Sequence, residues 1–234
     1  MEHRFTRTEA LLSEAAVHRL SEARVAVFGL GGVGGHAVDA LARCGVGALD
    51  LVDADTVSIT NINRQMFALT STVGRPKVEV AAERIHDINP ACHVRTYELF
   101  FDKDTLDRFD FSAYDYVVDA IDSVSSKLLL IEQARAADVP ILCSMGMGNK
   151  LDPTALAVMD IEKTTVCPLA RVMRRELRLR GIRHVKVVSS TEPPRAGGTR
   201  GAPASYACVP ATAGLILASE VVRDLCAAWL SETV

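Results

Sequence analysis

Three clusters of residues carry most of the chemistry in this chain. The first is Gly29-Leu30-Gly31-Gly32-Val33-Gly34, a G-x-G-x-x-G loop. Glycines let the backbone turn sharply and bring N–H groups close to phosphate, and a following helix adds partial positive charge. Asp53 lies 19 residues after Gly34, where a carboxylate accepts hydrogen bonds from ribose hydroxyls. These features alone imply a bound nucleotide, and a nicotinamide-dependent oxidoreductase would share them. The second cluster runs from Asp53 through Asp55, Asn61, Arg64 and Gln65 to Lys77. Lys77 alone reads as a helix cap. Asn, Arg and Lys together beyond a glycine loop suit the several negative charges of a triphosphate. The third is Asp119-Ala120-Ile121-Asp122-Ser123. A carboxylate beyond a strand end can hold Mg²⁺ against phosphates, and Asp122 is the candidate ligand.

Such groups need a scaffold, and the pattern around them supplies one. Arg24 to Phe28 is a short β-branched run ending at the glycine loop, the mark of a buried strand. Further strands are expected at Ala48 to Val52, Val94 to Leu99, Tyr116 to Ala120 and Pro140 to Met145. Helices are expected at Glu9 to Leu20, His36 to Cys44, Pro76 to Ile88 and Lys127 to Ala137. Strands alternating with helices predict an α/β, Rossmann-like, doubly wound and mostly parallel sheet. After Lys150 the spacing predicts strands at Leu156 to Ile161 and Val185 to Ser189, and a basic helix from Cys167 to Leu179. A Pro/Gly-rich loop from Glu192 to Ala204 and a closing helix from Ala213 to Leu230 complete the chain. We expect one domain over 1–234, with a nucleotide-binding core over 1–150 and a C-terminal elaboration over 151–234.

Composition narrows the classes. The chain has 234 residues, 49% apolar and 24% charged, with net charge −3, which excludes disorder and fibrous folds. The longest uncharged apolar candidate, Tyr206 to Ser219, is 14 residues, too short for a membrane span. Six cysteines (44, 92, 143, 167, 208 and 226) include no C-x-x-C pair. That argues against structural zinc and disulfides and fits a reducing cytoplasm.

In order and spacing, G-x-G-G-V-G, D-x-D-x-V-x-x-x-N-x-x-R-Q, G-x-x-K, I-N-P and D-A-I-D-S resemble the ubiquitin-activating-enzyme superfamily in its bacterial ThiF/MoeB form. The resemblance implies ATP·Mg binding and adenylation of a carboxylate. It assigns Asp53 to the ribose, Asn61, Arg64 and Lys77 to the phosphates, and Asp122 to Mg²⁺. It also implies a homodimer in which Arg7 reaches the partner subunit's ATP. Many sulfur-carrier activators in this superfamily have two C-x-x-C pairs, which this chain lacks. Asp119 to Lys127, Asp152-Pro153-Thr154, Lys163-Thr164 and Pro168-Leu169-Ala170 look instead like the branch that dehydrates threonylcarbamoyladenosine in tRNA. That branch leaves room for a bound monovalent cation and a sulfur-transfer protein as partner.

A carboxylate is a poor electrophile, and adenylation makes its departing oxygen part of AMP. An internal nucleophile can then close a ring, so no protein thiol is required. Cys167 and Cys208 read as small core or incidental residues rather than nucleophiles. From Arg171 to Lys186 there are seven basic residues against one acidic, Glu176. Arg171, Arg174, Arg175 and Arg178 share one helical stripe. On charge alone this is equally a solvated face or a phosphate-backbone surface, and the resemblance favours tRNA. Competing readings are an activator of a small protein's C-terminal glycine, an oxidoreductase, a non-catalytic scaffold and a sulfur acceptor.

Overall fold

A computed structural model describes residues 2–198 and 203–230. Seven strands form one sheet in the order β3-β2-β1-β4-β5-β7-β6. They are β1 (Arg24–Phe28), β2 (Ala48–Val52), β3 (His93–Tyr97), β4 (Tyr116–Asp119), β5 (Ile141–Ser144), β6 (Leu156–Asp160) and β7 (Lys186–Ser190). Every pairing is parallel except β6 with β7. The expected doubly wound sheet is therefore present, with residues beyond 150 supplying two strands of the same sheet. Order reverses between β1 and β4, and in open α/β sheets ligands bind at such a switch point.

The helices are α1 (Thr6–Leu12), α2 (Glu14–Glu22), α3 (Gly34–Cys44), α4 (Lys77–Ile88), α5 (Val124–Ala136), α6 (Pro168–Leu179), α7 (Cys208–Leu225) and α8 (Ala227–Leu230). Apolar residues of β1, α3, α4 and α7 make one core face; β1, β4 and α5 meet aromatic residues in another. On that second face Phe28, Phe101, Phe109 and Phe111 pack ring on ring, with Phe28 and Phe101 centroids 4.9 Å apart. Among the described residues no helix is long and apolar enough to cross a membrane.

Several boundaries differ from the sequence expectation for local reasons. The single helix expected over Glu9 to Leu20 is two, broken at Ser13, whose φ is 88° and whose hydroxyl accepts from Ala16 N–H. A serine N-cap must leave helical geometry, so it restarts the helix rather than continuing it. α5 begins three residues before Lys127 because Ser123 caps it through Ser126 N–H. α7 begins before Ala213 because Pro210 lies in the first helical turn, where a missing N–H costs nothing. β3 stops at Tyr97, which frees Leu99 from the sheet. Residues 199–202 of the expected 192–204 loop, and residues 231–234, lie outside the described residues; 192–198 and 203–204 contain no helix or strand.

Candidate active site

Strand register builds the site. Phe28 stands level with Val52 of β2 and Asp119 of β4, and Val52 with Tyr97 of β3. Gly29, Asp53 and Ala120 therefore leave the sheet side by side. Hydrogen bonds from Gly29 N–H to Val52 O (2.8 Å), Ala120 N–H to Phe28 O (2.8 Å) and Asp53 N–H to Tyr97 O (3.2 Å) fix these exits. They open onto a cleft of about 470 Å³, within the range of small-molecule sites.

Gly29, Gly31, Gly32 and Asp122 line this cleft, as do Asp53, Asp55, Asn61, Arg64, Gln65 and Lys77. All were singled out from sequence. Two other expected residues are not in the lining. Gly34 opens α3 behind the loop, where a Cβ would sit 1.8 Å from Gly29 O. The lack of a side chain there lets the glycine loop turn directly into α3. Gly29 adopts φ of 91°, a conformation that favours glycine. Arg7, on α1, is exposed and outside the cleft of its own chain.

Asp53 braces the loop as well as facing the cleft. Its Oδ2 accepts from Leu30 N–H at 2.6 Å and its Oδ1 from Asp55 N–H at 2.9 Å. Lys77 is 4% exposed. Its Nζ lies 2.6 Å from Asp55 Oδ2 and 3.6 Å from Asp53 Oδ1. A buried ammonium needs such partners, and they hold it at the cleft wall. Asn61 Oδ1 accepts from Ser58 N–H at 3.0 Å, capping the 3₁₀ turn Ile59–Asn61. Arg64 Nη1 donates to Thr60 O at 3.0 Å and to Asn63 Oδ1 at 2.9 Å. The turn thus presets the guanidinium before any ligand arrives, and preset donors cost no reorganisation when charge develops.

Asp122 is exposed and makes no hydrogen bond or ion pair among the described residues. Its turn is held from below by Asp119, which is fully buried. Asp119 Oδ1 accepts from Ile121 N–H at 3.1 Å, and Asp119 Oδ2 lies 2.8 Å from Lys127 Nζ. Neither side chain of that pair is exposed at all. Sequence reading used Asp119 and Lys127 only as a pattern and missed this brace. It also missed the apolar wall of Leu99, Phe100 and Phe101. Phe100 is 52% exposed, a cost in water that a flat aromatic ligand would remove. The only signal was a Phe-Phe pair directly after a strand.

The thiols divide by burial. Burial and the nearby Asp119 push the Cys143 thiol well above its ordinary value, and burial pushes Cys92 up to about 11. Neither favours thiolate. Cys167 is buried and Cys208 exposed. Arg171, Arg174, Arg175 and Arg178 do share one concave face of α6, of about 340 Å³. Arg174, however, is tied by Nη1 to the carbonyl and hydroxyl of Thr164. The exposed cations of the stripe are Arg171, Arg175 and Arg178. Away from both surfaces, Asp160, Glu162 and His184 place ligand-type atoms within 4.8 Å of one another. His184 Nδ1 pairs with Asp160 at 3.0 Å and Arg183 with Glu162 at 3.5 Å.

A switch-point cleft with a glycine loop, a cationic wall and a free carboxylate defines a nucleotide-binding α/β protein. The chain belongs to the ThiF family, whose family model matches residues 5–232. It is 42% identical over 242 residues to the tRNA threonylcarbamoyladenosine dehydratase of Bacillus subtilis, covering 96% of this chain and 95% of that one. Its fold matches the Escherichia coli tRNA N6-threonylcarbamoyladenosine dehydratase, TcdA, in complex with ATP. That match has a TM-score of 0.89 at 38% identity and covers 99% of this chain and 96% of the other. The same enzyme in complex with AMP gives a TM-score of 0.90 at 39% identity, covering 96% and 94%.

Proposed function

We propose that this protein uses ATP to dehydrate threonylcarbamoyladenosine beside the tRNA anticodon, closing its threonylcarbamoyl group into a ring. The observation that carries the reading is the cleft itself. It joins a glycine loop, Arg64, Lys77 and an Asp122 without a partner among the described residues, in a chain 42% identical to a dehydratase along nearly its full length.

The residues account for the steps. The threonyl carboxylate attacks the α-phosphorus of ATP, pyrophosphate leaves, and an acyl-adenylate forms. The substrate's own carbamoyl group then attacks the acyl carbon. The C–O bond to AMP breaks, one proton is released, and the oxygen lost from the substrate departs on AMP. Backbone N–H groups of the glycine loop and the positive end of α3 face the phosphates. Arg64 and Lys77 offset the charge of the departing pyrophosphate, and Asp53 holds the ribose. The apolar wall of Leu99, Phe100 and Phe101 takes the adenine face. These groups act by position and charge, the main requirement of a reaction whose nucleophiles all belong to the substrate. Asp122 fits Mg²⁺: an oxygen ligand without a protein partner among the described residues, beside a phosphate-facing wall. When bound there, the ion supplies Lewis-acid neutralisation of phosphate charge.

We place the tRNA on α6, whose arginine stripe supports binding to phosphates. Charge reversal at Arg171, Arg175 and Arg178 to Glu is expected to weaken tRNA binding. The salt slope should become shallower by about one unit for each phosphate no longer neutralised. ATP affinity measured by calorimetry should stay the same; tRNA affinity and slope that do not move would remove this surface. Because Arg7 lies outside its own cleft, the role expected for it calls for a second copy of the chain, and we propose a homodimer. We place the enzyme in the cytoplasm with its tRNA and give Cys208 no catalytic part. The test is to incubate the protein with ATP·Mg and tRNA bearing threonylcarbamoyladenosine. Loss of one water from the nucleoside with release of AMP is expected. AMP formed only when a small β-grasp protein is added would contradict it.

A further inference from the structure

A second cavity, of about 260 Å³, opens beyond the carboxyl end of β5, between residues 149–151 and 204–206. Asn149 stitches its walls together. Its N–H donates to Ala204 O at 2.7 Å, its Oδ1 accepts from Ala204 N–H at 2.8 Å, and its carbonyl accepts from Arg195 N–H at 2.8 Å. Tyr206 lines the cavity and is steadied by a hydrogen bond from its hydroxyl to Leu151 O. Lys150 lines it too, only 3% exposed. Among the described residues the Lys150 ammonium has one hydrogen-bond partner, Glu192 O at 3.1 Å. Two of its donors are therefore unused where burial is costly. Arg195, on the rim, lies 3.5 Å from Glu192 and is exposed.

A short chain of hydrogen bonds runs from this cavity to the nucleotide cleft. Arg64 Nη1 donates to Asn63 Oδ1 at 2.9 Å, and Asn63 Nδ2 donates to Ser205 O at 3.0 Å. Arg64 faces the cleft and Ser205 lines the cavity. Two hydrogen bonds thus connect the phosphate-facing arginine to the second chamber. An aromatic ring, a buried ammonium with spare donors and a rim guanidinium together match an anionic, base-bearing ligand.

We propose that this cavity receives the base of the modified nucleoside, with Tyr206 stacking on the purine and Lys150 and Arg195 facing the flanking phosphodiesters, which leaves the threonyl carboxylate free to reach into the ATP cleft. The assignment rests on the dehydratase reading. The reaction requires the carboxylate to reach the α-phosphorus, so the nucleoside must sit in a chamber adjoining the ATP cleft. The cavity admits a single base and no folded loop, so the nucleotide enters splayed out of the anticodon stack. Aromatic platforms receive such bases. The α6 stripe then holds the RNA backbone while this chamber reads the nucleoside.

The experiment is steady-state kinetics on tRNA bearing threonylcarbamoyladenosine, with ATP affinity measured in parallel by calorimetry. Tyr206→Ala is expected to raise the KM for tRNA about tenfold, the scale of a single base stack. ATP affinity stays at the wild-type value. Tyr206→Phe keeps the ring and restores most of the affinity for tRNA. Ala196→Trp, at an exposed position in the same wall, fills the chamber without removing a native interaction and raises KM as well. It serves if the alanine variant melts early. Unaltered KM in both Tyr206→Ala and Ala196→Trp, with wild-type turnover intact, overturns the cavity assignment alone. Absence of turnover by the wild-type protein overturns the dehydratase reading beneath it.

Discussion

Asp122→Ala is expected to cut turnover by about 10²–10³-fold, the usual loss when one preset electrostatic partner of a reacting group is removed. The variant should nevertheless fold. Asp122 is exposed and bonded to nothing among the described residues, and its backbone turn is held by Asp119 through Ile121 N–H. No core packing leaves with the carboxylate. The measurement has two readouts besides activity: the melting temperature, which should stay within a degree or two, and the Mg²⁺ concentration needed for tight ATP binding, which should rise. Full activity at ordinary Mg²⁺ would take Asp122 out of the site. A steep fall in melting temperature would mean that its role is structural.

Lys127→Met should have the largest effect on stability. It leaves the Asp119 carboxylate buried at 0% exposure without its ammonium 2.8 Å away. Breaking one side of a buried pair costs about 3–5 kcal/mol, a melting shift of about 10 °C for a chain of this size. The loss comes from the orphaned charge, so the double variant Asp119→Leu/Lys127→Met should recover part of it. Recovery is incomplete because Asp119 also accepts from Ile121 N–H at 3.1 Å. Thermal or denaturant unfolding of the two single variants and the double variant checks this. A single variant as stable as the parent would show that the pair contributes nothing to the fold.

The cleft wall was legible in sequence because each part is local. A glycine loop between a strand and a helix, an acid at the next strand end and a lysine opening a helix all obey fixed spacings. The parallel ladder then brings them together without further instruction. Other features depend on tertiary partners that no spacing encodes. Phe100 and Phe101 look like core residues from sequence, and one is; Phe101 is 3% exposed while its neighbour faces the cleft. Gly34 belongs to the motif by pattern, and that a Cβ there would meet Gly29 O at 1.8 Å is a packing constraint no spacing shows. Arg174 lies on the arginine stripe by helical arithmetic, and Thr164, 10 residues earlier, captures it. The helix break at Ser13 was hidden because the apolar rhythm runs through it while the capping hydroxyl overrides it locally. The second chamber joins residues 149–151 to 204–206, segments too far apart in the chain for a motif to connect.

Adenylation of the substrate carboxylate requires that one of its oxygens depart on AMP. The most direct measurement uses tRNA whose threonylcarbamoyladenosine carries oxygen-18 in the carboxylate. After turnover with unlabelled ATP·Mg, the AMP is analysed by mass spectrometry. Adenylation followed by ring closure predicts one heavy oxygen in AMP for each ring formed and none in pyrophosphate. Unlabelled AMP, or label recovered in inorganic phosphate together with ADP, would contradict it.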